Sequence, residues 1–401
     1  MALFLSNENK KSLDTGFREV FGCDPERYFS APGRTELSGN HTDHQHGRVL
    51  AAAVDLDMKA AVRGNGENLI RVQSKGYPLC VVNLAELRPK KDEENTTSAL
   101  IRGVTAGFAE LGCPVSGFDA YVESTVLPGS GLSSSAAFEV LMGTIINSLF
   151  YENKVSAPQI AIIGQFAENA FFRKPCGLMD QMASAVGGMV AIDFENPKDP
   201  TITPVDFDFA ACGHVLCIID TRASHADLTN EYAAIPNELK AVCRYFGKEV
   251  LREVDERDFY GAIPALRKAC GDRAVVRAIH VYEENKRVAA QIAALQAGDF
   301  DAYLSLMKES GYSSYMYLQN VIPAGYTERQ DMAVALAMCE KLLKGRGGYR
   351  VHGGGFAGTV QAFVPVDMLT DFRKGMDAVL GDGACHVLSI RQQGGIELSV
   401  K

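Results

Sequence analysis

Four stretches carry apolar residues at the density and length of strands: residues 49–62 (VLAAAVDLDMKAAV), 118–125 (FDAYVEST), 214–220 (HVLCIID) and 359–366 (TVQAFVPV). Between them, apolar residues recur at helical spacing over residues 99–111, 137–150, 159–172, 233–245, 276–297 and 328–343. The mixture predicts an α+β protein. Residues 193–204 (DFENPKDPTITP) are charged and rich in proline, as expected where one lobe gives way to another. Two lobes follow, residues 1–200 and residues 201–401.

Three segments break these patterns by concentrating polar residues and glycine. Residues 31–50 (APGRTELSGNHTDHQHGRVL) read locally as a Pro-Gly turn and a polar loop, yet they gather Arg34, His41 and Asp43. Residues 126–139 (VLPGSGLSSSAAFE) place Gly129 and Gly131 around Ser130, then Ser133, Ser134 and Ser135, then an apolar helical run. A tight glycine turn entering a helix offers backbone N–H groups to an anion. One capping hydroxyl would suffice for an ordinary helix start, and several are present here. No GxxxxGK[ST] occurs, so this is not a Walker A loop. Residues 350–364 (RVHGGGFAGTVQAFV) set Gly353, Gly354, Gly355 and Gly358 before a strand. That cluster suits a hairpin turn, or main chain packed beside the nucleotide loop.

In this order and at these separations, the three segments resemble the three motifs of the GHMP small-molecule kinases. Within that superfamily the chain is most similar to the galactokinases, also through FREVFGCDPERYFSAPGR, FRKPCGLMDQMAS and HVYEENKRV. The resemblance covers nearly the whole chain. It implies an N-terminal lobe with a ribosomal-protein-S5-like βα core, a C-terminal α+β lobe and an active site between them. It further implies phosphorylation of the anomeric hydroxyl of galactose by ATP with Mg²⁺.

Residue by residue, Asp180 matches the family's catalytic aspartate and Arg34 its catalytic arginine; without the motifs, such a pair would read as an interlobe salt bridge. Ser135 and Glu168 match the Mg²⁺ positions. Gly129, Gly131, Ser133, Ser134 and Ser135 match the nucleotide loop. Asn40, His41, Asp43 and Tyr232 match sugar-contacting positions, and His225 and Asp227 are expected to line or support that pocket. The sugar motif departs from the family in two places: Asn40 stands where galactokinases carry Glu, and His44 where an aromatic is usual. The arginines usual after Tyr232 are missing. A neutral amide at position 40 both donates and accepts. A kinase for N-acetylgalactosamine, galacturonate or L-arabinose is therefore an alternative, and a non-catalytic sugar sensor a more distant one.

Composition agrees with an intracellular metabolic enzyme. The 401 residues are 47% hydrophobic, enough for a sizeable core, and 49 acidic against 40 basic residues give a net charge of −9. A footprint for nucleic acid or anionic membrane is missing. No apolar run is long enough to span a bilayer, and the N-terminus lacks a signal-peptide pattern, so a cytoplasmic protein is expected, acting as a monomer. The 10 cysteines show no CxxC or zinc spacing and read as small apolar fillers, Cys176 included. His41, His44 and His46 lack a second ligand cluster and are read as sugar-side residues, not as a metal site.

Overall fold

The computed structural model describes residues 3–126, 131–223 and 228–400. In chain order its first half contains α1 (Asn7–Phe21), β1 (Arg27–Ser38), β2 (Arg48–Gly64), β3 (Leu69–Ser74), β4 (Cys80–Asn83), α2 (Thr97–Glu110), β5 (Phe118–Ser124), α3 (Ser134–Phe150), α4 (Ala157–Phe166), α5 (Met179–Val186), β6 (Met189–Asp193) and β7 (Thr201–Pro204). The second half contains β8 (His214–Asp220), α6 (Thr229–Tyr245), α7 (Glu256–Cys270), α8 (Asp272–Gln296), α9 (Phe300–Ser313), α10 (Asp331–Leu343), β9 (Gly348–His352), β10 (Thr359–Pro365), α11 (Leu369–Leu380), β11 (Cys385–Leu388) and β12 (Ile396–Glu397).

Among the described residues these strands form two sheets. The first runs β12-β1-β2-β5-β3-β4, with β6 and β7 joined to the far end of β2. Only β3 and β5 pair in parallel there. The second runs β11-β8-β10-β9 and is antiparallel throughout. Side-chain alternation assigns the layers. In β1, Phe29 joins the main core with α2 to α5, whereas Tyr28 packs with Leu13 and Phe17 of α1 on the opposite face. In β8, Leu216 and Ile218 join that same main core with α8 and α9, while Cys217 and Ile219 pack against α10 and α11. One face of each sheet thus shares a single apolar core.

All four strand-like stretches and all six helical patterns lie on elements of the expected type. Residues 31–38 do not form the expected turn and polar loop. They belong to β1, whose residues are almost all buried. Pro32 sits where the β1–β2 register shifts, a place where a strand tolerates a residue without an N–H. The polar side chains are paired: Ser30 donates to Asp57 at 2.7 Å, Thr35 meets His352 at 3.1 Å and Glu36 takes Arg350. Residues 193–204 close the β6–β7 hairpin of the first sheet, and the chain crosses to the second sheet over residues 205–213. The tail returns to pair Ile396 with Ser30. Among the described residues no helix is long and apolar enough to cross a membrane.

Candidate active site

The site grows from a strand, a turn and a helix start brought to one point. Strand β1 carries Arg34, the turn before α3 carries Gly131 to Ser133, and the first turn of α5 carries Asp180. Arg34 Nε donates to Asp180 Oδ1 at 2.6 Å, and its Nη1 donates to the Gly131 carbonyl. Ser133 donates its hydroxyl to the other Asp180 oxygen instead of capping α3. Burial would raise the Asp180 pKa; the Arg34 charge, its hydrogen bond and that from Ser133 outweigh it and hold the carboxyl below its usual value. The result is an ionised carboxylate beside an anion-ready helix start.

Gly131 shows why the loop needs glycine. Its φ is +69°, and a Cβ there would stand 2.9 Å from Thr359 Oγ1 and 3.2 Å from His352 Nδ1. The strand ends that flank the glycine-rich turn between β9 and β10 therefore pack directly beside the loop before α3. His352 is buried, and burial with the nearby Arg34 and Arg350 charges keeps it neutral. Because the Glu36 N–H donates to its Nε2 at 3.3 Å, the proton sits on Nδ1, facing Thr359 Oγ1 at 2.9 Å.

Behind this point, Ser135 donates to Glu168 Oε1 at 3.2 Å. Lys174 approaches the same oxygen at 3.3 Å on a largely exposed side chain. Gln181, next to Asp180, bridges two buried carboxylates, donating to Glu168 Oε2 at 2.8 Å and to Glu139 Oε2 at 2.9 Å. A hydroxyl and a carboxylate are hard oxygen donors, a set that fits Mg²⁺ completed by phosphate and water oxygens. Among the described residues no three His, Cys, Asp or Glu side chains gather to hold a metal by themselves.

On the other side of Asp180 lies the loop after β1. Asp43 packs so closely on the PCGLMDQ segment that a Cβ at Gly177 would stand 1.7 Å from its Oδ2. His41 adopts φ +61° and donates from Nε2 to the Gly354 carbonyl at 3.1 Å. Burial, aided by His44, pushes its pKa down to about 3. Tyr232, on the first turn of α6, donates to the Gly355 carbonyl at 2.9 Å. Asn40 is completely buried. Its Nδ2 donates to Gly353 O at 2.6 Å and to Glu36 Oε1 at 3.1 Å, and its Oδ1 accepts from Asn320 at 2.8 Å and Ser314 at 3.3 Å. It ties the sugar loop to the glycine turn and presents no surface to the cleft.

The structure thus brings Arg34, Asp180, Gly131, Ser133 and Ser135 together, with Glu168 behind and His41, Asp43 and Tyr232 beside them; Ser134 opens α3. Gly129, His225 and Asp227 lie outside the described residues. Sequence reasoning missed Gln181, Glu139, His352 and Glu36. Gln181 and Glu139 stood inside quoted motifs, but only the fold reveals that one amide joins them.

Comparison with known proteins identifies the family. Residues 15–64 match the galactokinase galactose-binding signature and residues 99–188 the GHMP kinase N-terminal domain. The chain is similar to the galactokinase of Streptomyces coelicolor, with 34% identity over 87% of each chain. It is also similar to that of Glaesserella parasuis, with 32% identity over 90% of this chain and 91% of the other. Among solved structures, Lactococcus lactis galactokinase complexed with galactose superposes with a TM-score of 0.81, at 25% identity over 97% of this chain and 99% of that one. A mevalonate kinase shares the fold at 14% identity, with a TM-score of 0.65 over 92% of this chain and all of the other.

Proposed function

The chain belongs to the galactokinase family of the GHMP kinases and is a sugar kinase, and from that premise we propose how its own residues transfer the γ-phosphoryl group of ATP to the anomeric hydroxyl of α-D-galactose. The arrangement of Arg34, Asp180 and Ser133 at the start of α3 carries the proposal. Phosphoryl transfer needs an in-line hydroxyl, a carboxylate to orient it and positive charge on the equatorial oxygens. Asp180 accepts the hydrogen bond, and in the transition state the proton, of the anomeric hydroxyl. Arg34 keeps Asp180 ionised and turns its remaining N–H groups toward the transferring group.

The N-terminus of α3, with Gly131, Ser133 and Ser134, cradles the triphosphate through backbone N–H groups. The Ser133 hydroxyl itself serves Asp180. Ser135 and Glu168 hold Mg²⁺, which neutralises phosphate charge when bound. His41, Asp43 and Tyr232 surround the sugar, while Asn40 acts through the loop it pins. The three motifs meet within one chain, so the site needs no second subunit, which supports the reading of a monomer; use of ATP supports a cytoplasmic enzyme.

A second proposal, another 1-kinase acting on a substituted or related sugar, is favoured by the sequence departures beside the sugar motif: His44 where an aromatic is usual and no arginines after Tyr232. One experiment decides between them. ADP release is measured across galactose, N-acetylgalactosamine, galacturonate, L-arabinose and glucose, and the product identified by ³¹P NMR. Galactose is expected to give the highest kcat/KM and an anomeric phosphate. Preference for another sugar overturns galactose, and no turnover on any sugar overturns kinase action on this panel.

A further inference from the structure

The HVYEENKRV segment, residues 280–288, has no part in the chemistry above, yet it and the turn of α8 after it bury polar side chains completely. His280, Glu284 and Gln291 are each completely buried on one face of that helix. Buried polar groups persist only where partners compensate their lost hydration. The partners here converge on one place. His280 donates from Nε2 to the Asn40 carbonyl at 3.0 Å. Glu284 Oε1 accepts from the backbone N–H groups of Gly39 and Asn40, both at 3.3 Å, and from Ser310 at 2.6 Å. Asn285 Oδ1 accepts the Arg48 N–H at 2.8 Å, and Gln291 accepts the Ser38 hydroxyl. Helix α8 therefore grips both ends of the loop over residues 39–48. Inside the loop, the Thr42 hydroxyl lies 2.9 Å from the Gly39 carbonyl and 2.6 Å from that of Arg48, so it ties the two ends together.

We propose that His280, Glu284 and Asn285 are positioning residues that set sugar affinity and selectivity by fixing the place of the 39–48 loop, the role that a residue at position 40 pointing into the pocket would otherwise perform. The proposal rests on the galactose reading above. Asn40 spends its side chain within the protein, so the register of the loop is what places His41 and Asp43. The grip also reaches the glycine turn. Arg350 stands 3.6 Å from Glu284 and pairs with Glu36, which accepts from Asn40. None of the three residues touches reacting atoms, and their effect falls on the sugar alone.

The test compares Glu284→Gln and Asn285→Ala with wild type, with Asn285→Asp as the variant that keeps the acceptor. Asn285 is only half-buried and loses one bond, so Asn285→Ala remains informative if Glu284→Gln fails to fold. The galactose KM should rise about 10-fold or more, since small misplacements of binding groups are costly. The galactose-to-glucose kcat/KM ratio should fall, the ATP KM should hold within about twofold, and Asn285→Asp should recover most of the loss. Unchanged galactose KM and selectivity in a folded Asn285→Ala variant overturn the proposal, as does an equal rise in both KM values. If wild type prefers another sugar, the galactose reading falls and the same ratios are read on that sugar. If it phosphorylates none, hydrogen exchange at the Gly39, Asn40 and Arg48 amides decides. Faster exchange in the variants supports the grip, and unchanged exchange refutes it.

Discussion

Replacing Asp180 by Asn keeps the shape of the side chain and removes its charge. Arg34 is then left almost fully buried with its Nε no longer facing a carboxylate 2.6 Å away. Breaking a fully buried pair by removing one partner costs about 3–5 kcal/mol. Asp180 is 31% exposed, which screens part of that, so a loss of about 1–3 kcal/mol of stability is the expected size. Turnover should suffer more. The carboxylate that orients and deprotonates the anomeric hydroxyl is gone, and kcat should fall on the order of 10²-fold or more, equivalent to at least about 2.7 kcal/mol of transition-state stabilisation. ATP and sugar should still bind, because the α3 start and the 39–48 loop are untouched. Kinetics come from coupled ADP release, binding from calorimetry and stability from denaturant unfolding. Turnover near wild type in a folded, ligand-binding Asp180→Asn enzyme would refute the assigned role. A variant that binds neither ligand would show Asp180 to be structural.

Arg34→Lys keeps one positive charge but cannot serve both Asp180 and the Gly131 carbonyl, so kcat should fall further than KM rises. Because Arg34 depresses the Asp180 pKa, the acid limb of kcat should move to higher pH in that variant; an unmoved limb refutes the coupling. Glu168→Gln should raise the Mg²⁺ concentration for half-maximal activity on the order of 10-fold while leaving the sugar KM in place, read by metal titration at saturating ATP. With His41 held near a pKa of about 3, its neutral form prevails at all higher pH, so it should leave no step in the sugar KM between pH 5 and 8. A KM step near pH 6.5 that disappears in His41→Asn would contradict the lowered pKa of that ring. Asn40→Glu should destabilise the fold by about 2–4 kcal/mol by setting a second carboxylate against Glu36 and the Gly353 carbonyl, and Glu36→Asn should rescue it. Strictly additive unfolding energies for the pair would exclude that coupling.

Periodicity exposed the elements whose burial is one-sided or whose apolar run is continuous, which is why β2, β5, β8, β10 and six helices could be read directly. Strand β1 hid because its burial is satisfied by polar pairs: Thr35 with His352, Glu36 with Arg350, Ser38 with Gln291. Each partner lies more than 250 residues away, so no local window contains the reason that Thr, Glu and Ser are buried there. The links around Glu168 are much closer in sequence, 33 residues to Ser135 and 13 to Gln181, but they join separate elements whose packing no local window shows. Local sequence pointed to the loop before α3, because a helix start and its glycines are contiguous, and family likeness pointed to Arg34 and Asp180. Neither supplied the bridge through Gln181 to Glu139.

The departure at position 40 shows how a single residue is misread without its neighbours. Taken alone, Asn for Glu removes a carboxylate from the sugar pocket. In the fold a carboxylate remains 3.1 Å from the Asn40 amide, contributed by Glu36 four residues earlier near the end of β1, and Arg350 balances it while also standing 3.6 Å from Glu284. Burial raises the Glu36 pKa, and the adjacent arginines work against that rise. The charge therefore stands behind the loop instead of in the pocket, where it can hold the glycine turn and the sugar loop together without meeting the substrate. Selectivity then depends on where the loop is held, and the residues that hold it are those of α8.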